Sequence, residues 1–351
     1  MWALPRYLGL CAATVRGVAL IAACAAISSA GPAVAQEIAV GASFSNQLSQ
    51  IGVTMRNGRL IAAPQQFYNR NGTIKSDGAD GRKEEMKLTT NGATVAVDYK
   101  LTTKAFQVHL NLDRGRELHI VRTPGEGAKF DHLEFHQPAE GKITVKIGAN
   151  PVKRLLEFES IWHLMSAEPD LGTNDVEPLL RLLKSGLTLT VTARSIEELL
   201  FRKATTTFNV DRRLWRDLVE QLGGRTYIER EDAEYRLREL GKITVPYLRN
   251  LDPGRLDAEQ RYRIRAILRR YATTELEDSP DAVADWLAAD PEIWYALAKR
   301  SDSSQRTVIR AQLSMLLGEP IQLDAAVEGG ELTRQLDTIR AQINAAQAIR
   351  N

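Results

Sequence analysis

Five histidines hold most of the side-chain chemistry open to this chain. Two of them, His132 and His136, stand four residues apart. On a helix that spacing lets two imidazoles grip one metal ion. Here the run from Phe130 to His136 alternates apolar and polar residues, the pattern of a half-buried strand. Four strand residues span about 13 Å, so a shared ion would need a further ligand from His109 or His119. Solvent-facing strand histidines, with no metal site, are the favoured reading, and His163, beside Trp162, reads as packed or capping. No nucleophile motif is complete: Gly41-Ala42-Ser43-Phe44-Ser45 departs from G-x-S-x-G at its last position, and Lys184-Ser185-Gly186 has no S-x-x-K beside it. Phosphate-binding glycine loops are absent, and Asp77 and Asp80 lack the remaining ligands of a calcium loop. Acid pairs such as Glu84-Glu85, Glu197-Glu198 and Glu231-Asp232 have the chemistry for glycan hydrolysis. Adjacent acids on helices are more often solvated faces. The expectation is no catalytic residue and no cofactor.

The strongest charge pattern is a stripe. Arg261, Arg265 and Arg269 recur at i, i+4, i+8, flanked by Arg263 and Arg270, while Ile264, Ile267, Leu268 and Tyr271 fall on another face. Guanidinium forks suit carboxylates and phosphates. The stripe, with Trp286, Trp294 and Tyr295, is therefore the candidate contact for an acidic protein face, a polysaccharide or a lipid head group. Glu229, Glu231, Asp232, Glu234 and Glu239 offer internal partners for the same arginines, and internal pairing is the better-supported alternative. A groove lined by those aromatics and the stripe would mark a binding site. A deep pocket where histidine and carboxylates converge would mark an enzyme.

The elements that must position these residues divide the chain. Residues 37–150 read as an antiparallel meander of roughly seven to nine strands, a sandwich, open barrel or curved sheet. Asn57-Gly58 between Val53–Arg56 and Arg59–Ala62 signals a two-residue type I′ hairpin. After about Pro151 the period shifts to 3.6: Leu155, Phe158, Glu159, Trp162 and Met165 recur at helical spacing. Residues 151–210 form a helical linker region, in which Ser195-Ile196-Glu197-Glu198 reads as a capping box. Residues 211–317 read as helix after helix, and 331–351 as a cap helix or tail. Asp290-Pro291-Glu292 marks a helix start, and Gly241 and Gly318 fall where helix-ending glycines belong.

The helical part echoes itself. Gln260, Arg261, Ile264, Arg265, Ala266 and Leu268 return 45 positions later as Gln305, Arg306, Ile309, Arg310, Ala311 and Leu313. Arg230, Ala233 and Leu237 repeat the Arg, i+3, i+7 spacing. A period near 40–47 residues is that of HEAT-type helix pairs, whose stacked surfaces hold partners. The runs Leu218–Leu222, Tyr227–Ala233, Leu237–Gly241, Val245–Leu248 and Glu259–Arg261, with Ile161–Leu164 and Ala167–Asp170 before them, resemble HEAT-like exported proteins of planctomycete-type bacteria over about residues 160–317. The resemblance implies a short HEAT-like α-solenoid; placed after the β-meander, which itself resembles no known family, it makes the chain α+β. It carries no catalytic motif.

The first 35 residues read as an export signal: Arg6 and Arg16, an apolar core from Val18 to Ala26, and Ala33-Val34-Ala35 before Gln36. Ile21-Ala22-Ala23-Cys24 also resembles a lipobox, and an uncleaved anchor over about Val18–Ala35 is a third alternative. A membrane contact is expected only if Cys24 is lipidated or the leader stays attached. All three place the chain outside the cytoplasm, in the periplasm or beyond. Cys11 and Cys24 are the only cysteines, so no disulfide or thiolate site exists downstream of the leader. Lys and Arg number 46 against 44 Asp and Glu, and removing Arg6 and Arg16 makes the two equal. That balance excludes the basic excess of a nucleic-acid binder. The sequence leads to an exported, non-catalytic binding or scaffold protein of the envelope, with a protein or anionic polymer as partner. The alternatives are an envelope hydrolase with its site on the β domain or domain junction, and a structural envelope component.

Overall fold

The computed structural model describes residues 44, 48–65, 69–78, 81–128, 130–149, 151–206, 211–272 and 276–349. The leader, with Cys11 and Cys24, lies outside them, as does Asp80. No helix of the described residues is long and apolar enough to cross a membrane.

Apolar alternation, strongest in the central strands, builds an eight-stranded antiparallel meander: β3 (Arg70–Asp77), β4 (Lys83–Asn91), β5 (Thr94–Thr102), β6 (Phe106–Asp113), β7 (Glu117–Pro124), β8 (Leu133–Gln137), β9 (Ile143–Ile147) and β10 (Arg154–Phe158). Spatial order follows chain order, with β3 and β10 at the edges. One face buries Leu110, Leu112, Leu118, Ile120, Phe135 and Val145 completely, the burial that stabilises such a sheet. The other carries the polar alternates. There His119 lies cross-strand from His136, each beside a carboxylate: Glu134 at 3.1 Å and Glu117 at 3.4 Å. His132 turns to Thr123 instead. Among the described residues no three potential ligands gather around one point.

β10 departs from the helical reading of Leu155 and Phe158. Arg154–Phe158 pairs in register with Ile147–Ile143 of β9, and Leu155 points to solvent. Side chains at three-residue spacing cannot impose a helix where a sheet edge offers a full ladder of backbone partners.

The hairpin β1 (Ile51–Arg56) and β2 (Arg59–Pro64) forms a separate two-stranded sheet. Asn57 and Gly58 take φ of 53° and 68°, the type I′ geometry their sequence signals. This hairpin joins the two halves. On the sheet side, buried Gln137 donates to Leu60 O and accepts from Leu60 N, both at 2.9 Å. On the helical side, the Asp278 carboxylate accepts from Asn57 N, Gly58 N and the Trp162 indole, while Gly58 O accepts from Ile161 N. A Cβ at Gly58 would lie 2.4 Å from that of Ser160, so only glycine fits this crossing.

Helices fill the rest. They are α1 (Ile161–Ala167), α2 (169–180, with a π turn at Gly172–Val176), α3 (Leu189–Thr206), α4 (Arg212–Leu222), α5 (Tyr227–Glu239) and, after a 3₁₀ turn at Gly241–Thr244, α6 (Val245–Arg249). There follow α7 (Ala258–Ala272), α8 (Pro280–Leu287), α9 (Pro291–Ala298), α10 (Ser303–Leu317) and α11 (Gly329–Ile349). α4 packs on α5 and α9 on α10, whereas α1 reaches α9 and α3 reaches α8 across long stretches of chain. Ser195 is not a cap: α3 begins at Leu189 and runs through it. Its first turn is instead capped from α2, where buried Glu177 accepts from Thr190 N at 2.8 Å.

The 45-residue echo has a local physical content. α7 and α10 start and end 45 positions apart. Gln260 and Gln305 each close a reciprocal cap, with Asp257 and Asp302. Arg261 donates to Pro253 O and Leu256 O, Arg306 to Ala325 O and Val327 O, and Arg230 to Gly224 O. In each case the repeated arginine ties its helix to a neighbouring loop.

Candidate functional site

Where the β9–β10 edge meets α1, α6, α9 and α11, a pocket of about 490 Å³ opens. That volume falls in the range of about 300–1,000 Å³ typical of small-ligand sites. Lys142, Glu157 and Glu159 come from the sheet, His163 from α1, Arg249 from α6, Trp286 from α8, Lys299 from the end of α9 and Arg340 from α11. Each is placed by its own element, and no short stretch of sequence contains the set.

His163 is the buried hinge of the wall. Its Nδ1 lies 2.7 Å from Ser160 Oγ and its Nε2 3.0 Å from Asp290 Oδ2, and its ring tilts against Trp286 at 5.8 Å. All of these residues are buried. Ionised Asp290 can only accept, so Nε2 carries the proton of that hydrogen bond. Burial pushes the Asp290 carboxyl up. The His163 hydrogen bond and charge, the Glu292 amide and Arg212 outweigh that and hold it below the usual carboxylate range.

Ser, His and Asp in series is the atom set of nucleophilic hydrolysis, but the surroundings assign it another task. Ser160 is the N-cap of α1, and its Oγ also accepts from His163 N. It is fully buried beneath Gly58 and does not line the pocket. Asp290 is the N-cap of α9, as Asp290-Pro291-Glu292 predicts, with Oδ1 accepting from Glu292 N at 2.9 Å. The imidazole thus bolts one helix start to another. A nucleophile must meet substrate, and this hydroxyl meets only protein.

The rim is ionic and unevenly matched. Arg340 holds both carboxylate oxygens of Glu292 at 2.7 Å and stacks 3.9 Å over the Tyr295 ring. Arg154 holds Glu168 at 2.8 Å. Lys142 stands loosely between Glu157 and Glu159, at 3.9 and 3.8 Å. Lys299 lies 5.0 Å above Tyr295. Neither Lys299 nor Arg249 has a carboxylate partner among the described residues.

The residues singled out by sequence do not assemble into one groove. Trp286 and Tyr295 reach this pocket. Trp294 is wholly buried, its indole donating to Ala288 O at 2.7 Å and its ring packed edge-on against Phe201. It is a core residue. Arg261 is engaged with loop carbonyls and is not part of the pocket wall; Arg265 and Arg269 are exposed on α7, away from it. The acids of α5 do pair across to α7, but through Arg263: it bonds Glu231 at 2.9 Å, Glu234 at 2.5 Å and, within α7, Glu259 at 2.6 Å. Sequence reasoning missed Arg249, Lys142, Lys299 and Arg340, because no periodicity links them. The chain matches no family model, no curated protein and no solved structure.

Proposed function

We propose that this is an exported, non-catalytic binding protein of the cell envelope, whose ligand seats in the junction pocket. The observation that carries this reading is the pocket itself. It is of ligand size, walled by both halves of the molecule, lined with charge and backed by Trp286, and the buried hydroxyl–imidazole–carboxylate series beside it has no exposed nucleophile. The helix pairs α4–α5 and α9–α10, with the matched caps of α7 and α10, support a HEAT-like origin for the helical half. In this reading the solenoid-type surface and the sheet grip the ligand together. Export rests on the leader sequence alone.

The test is a small-molecule fragment screen read by two-dimensional NMR on the purified protein. Shifts clustered at His163, Trp286 and Tyr295 are expected. Ligands that shift only residues elsewhere would overturn the assignment of the site.

The hydrolase alternative draws on the Ser160–His163–Asp290 series. A fluorophosphonate that labelled Ser160, with labelling lost in Ser160→Ala, would establish it. The sealed environment of Ser160 leads to the opposite expectation.

A further inference from the structure

Carboxylates line the main pocket as fully as cations do, but the small cleft at its edge is lined by cations and no acid. Arg249 lines both the main pocket and a small adjoining cleft that also holds Asn57, Lys242 and Trp286. Lys242 and Arg249 form no ion pair among the described residues. Arg59, beside the hairpin turn, spends its guanidinium on the carbonyls of Pro138 and Gly141, next to the pocket residue Lys142. Burial and the like charge of Arg249 push the Arg59 pKa down, against the pull of Glu159 and Glu140. Those acids act at longer range than an ion pair.

An ordinary structural role does not account for this gathering. A cation in the last turn of a helix complements its dipole, which describes Lys299 at the end of α9. Arg249 ends a helix of only five residues, Lys242 sits in a 3₁₀ turn and Arg59 on a β-hairpin. One continuous 3₁₀–α segment, Gly241–Arg249, and the neighbouring hairpin bring like charge toward one place. Such an arrangement is relieved by an anion, and a guanidinium with ammonium neighbours is the protein chemistry that binds carboxylate or phosphate oxygens.

We propose that the junction pocket recognises its ligand through an oxyanion, a carboxylate or phosphate group, held by Arg249 with Lys242 and supported by Arg59. This rests on the pocket being the binding site. It specifies what the sequence pattern on α7 placed elsewhere: the anion goes to the seam, not to the arginine stripe.

The experiment titrates the purified protein with two probes, citrate and inorganic phosphate, by NMR and calorimetry, alongside the neutral fragments above. Shifts at Arg249, Lys242 and Trp286 are expected, weakening as chloride is raised. Arg249→Ala should cut affinity about tenfold or more, the scale of a lost charge-assisted hydrogen bond, and Arg249→Lys should restore part of it. Arg249 is exposed, so neither change threatens folding. Preference for citrate or phosphate identifies the group. If neutral fragments occupy the pocket while neither anion binds, the pocket stands and the oxyanion inference fails. Undiminished anion affinity in the Arg249→Ala/Lys242→Ala double variant also overturns it. If nothing lands there, the site assignment itself fails.

Discussion

The arginine face of α7 and the cation cluster at the junction pocket contain the same chemistry and reach opposite ends. On α7 the charges come from one helix at regular spacing, and the fold disposes of them singly. Arg261 clips a loop, Arg263 is buried among three glutamates, Arg265 is exposed, and Arg269, also exposed, donates back to Arg265 O. At the pocket Lys242 and Arg249 come from one continuous 3₁₀–α segment and Arg59 from the β1–β2 hairpin. Arg249 and Lys242 line one small cleft and form no ion pair among the described residues. A charge pattern legible in sequence is one that a single element can display and its neighbours can answer. Whether such charge is answered depends on which elements the fold brings against it.

That contrast can be broken at its strongest joint. His163→Ala removes the partner of buried Asp290, and breaking a buried pair costs about 3–5 kcal/mol. Urea unfolding should show that loss; a change within experimental error would mean that the imidazole does not hold the pocket wall. Next in size is Arg263→Ala, which deprives buried Glu234 of one of its two arginines. A loss of about 1–3 kcal/mol is expected for a charged hydrogen-bond partner removed from a buried acceptor, again by denaturant midpoint.

Acid titration sharpens the first of these. Asp290 has a folded pKa held below its unfolded value, which is about 3.9 for a free aspartate. Its contribution is therefore complete above that unfolded value and is lost as pH falls through the folded pKa. Asp290→Asn should flatten the acid limb of a stability–pH curve; an unchanged limb would assign acid unfolding to other carboxylates. The smallest effect belongs to the stripe. Arg265→Ala with Arg269→Ala should move stability by no more than about 0.5 kcal/mol per site, as exposed substitutions do, and leave citrate binding intact. A marked loss of binding would return the anion site to α7.

Much of the fold was legible where its cause is local. Asn57-Gly58 specifies its turn because few residues tolerate paired positive φ. Asp290-Pro291-Glu292 specifies a helix start because cap, proline and acid act within one turn. The 45-residue echo marked two helices of equal length, and Gln260 and Gln305 proved to be cap residues. The misreadings have one cause in common. Ser195 satisfied the capping-box pattern, but Glu177 from another helix caps α3 six residues earlier. Leu155 and Phe158 kept helical spacing, but the open edge of β9 claimed their backbone. Trp294 looked like a ligand platform, and packing against Phe201 made it core.

The sequence by itself determined the alternation that makes the meander, the turns, most helix starts, and the division into a sheet half and a helical half. Those follow from torsional preference and hydrogen bonds reaching no further than a few residues. Tertiary structure alone decided which charges became neighbours. Coulomb forces act through space, and Arg59 feels the charge of Arg249 across the seam where Asp278 and Ser160 hold the Asn57–Gly58 turn between sheet and helices.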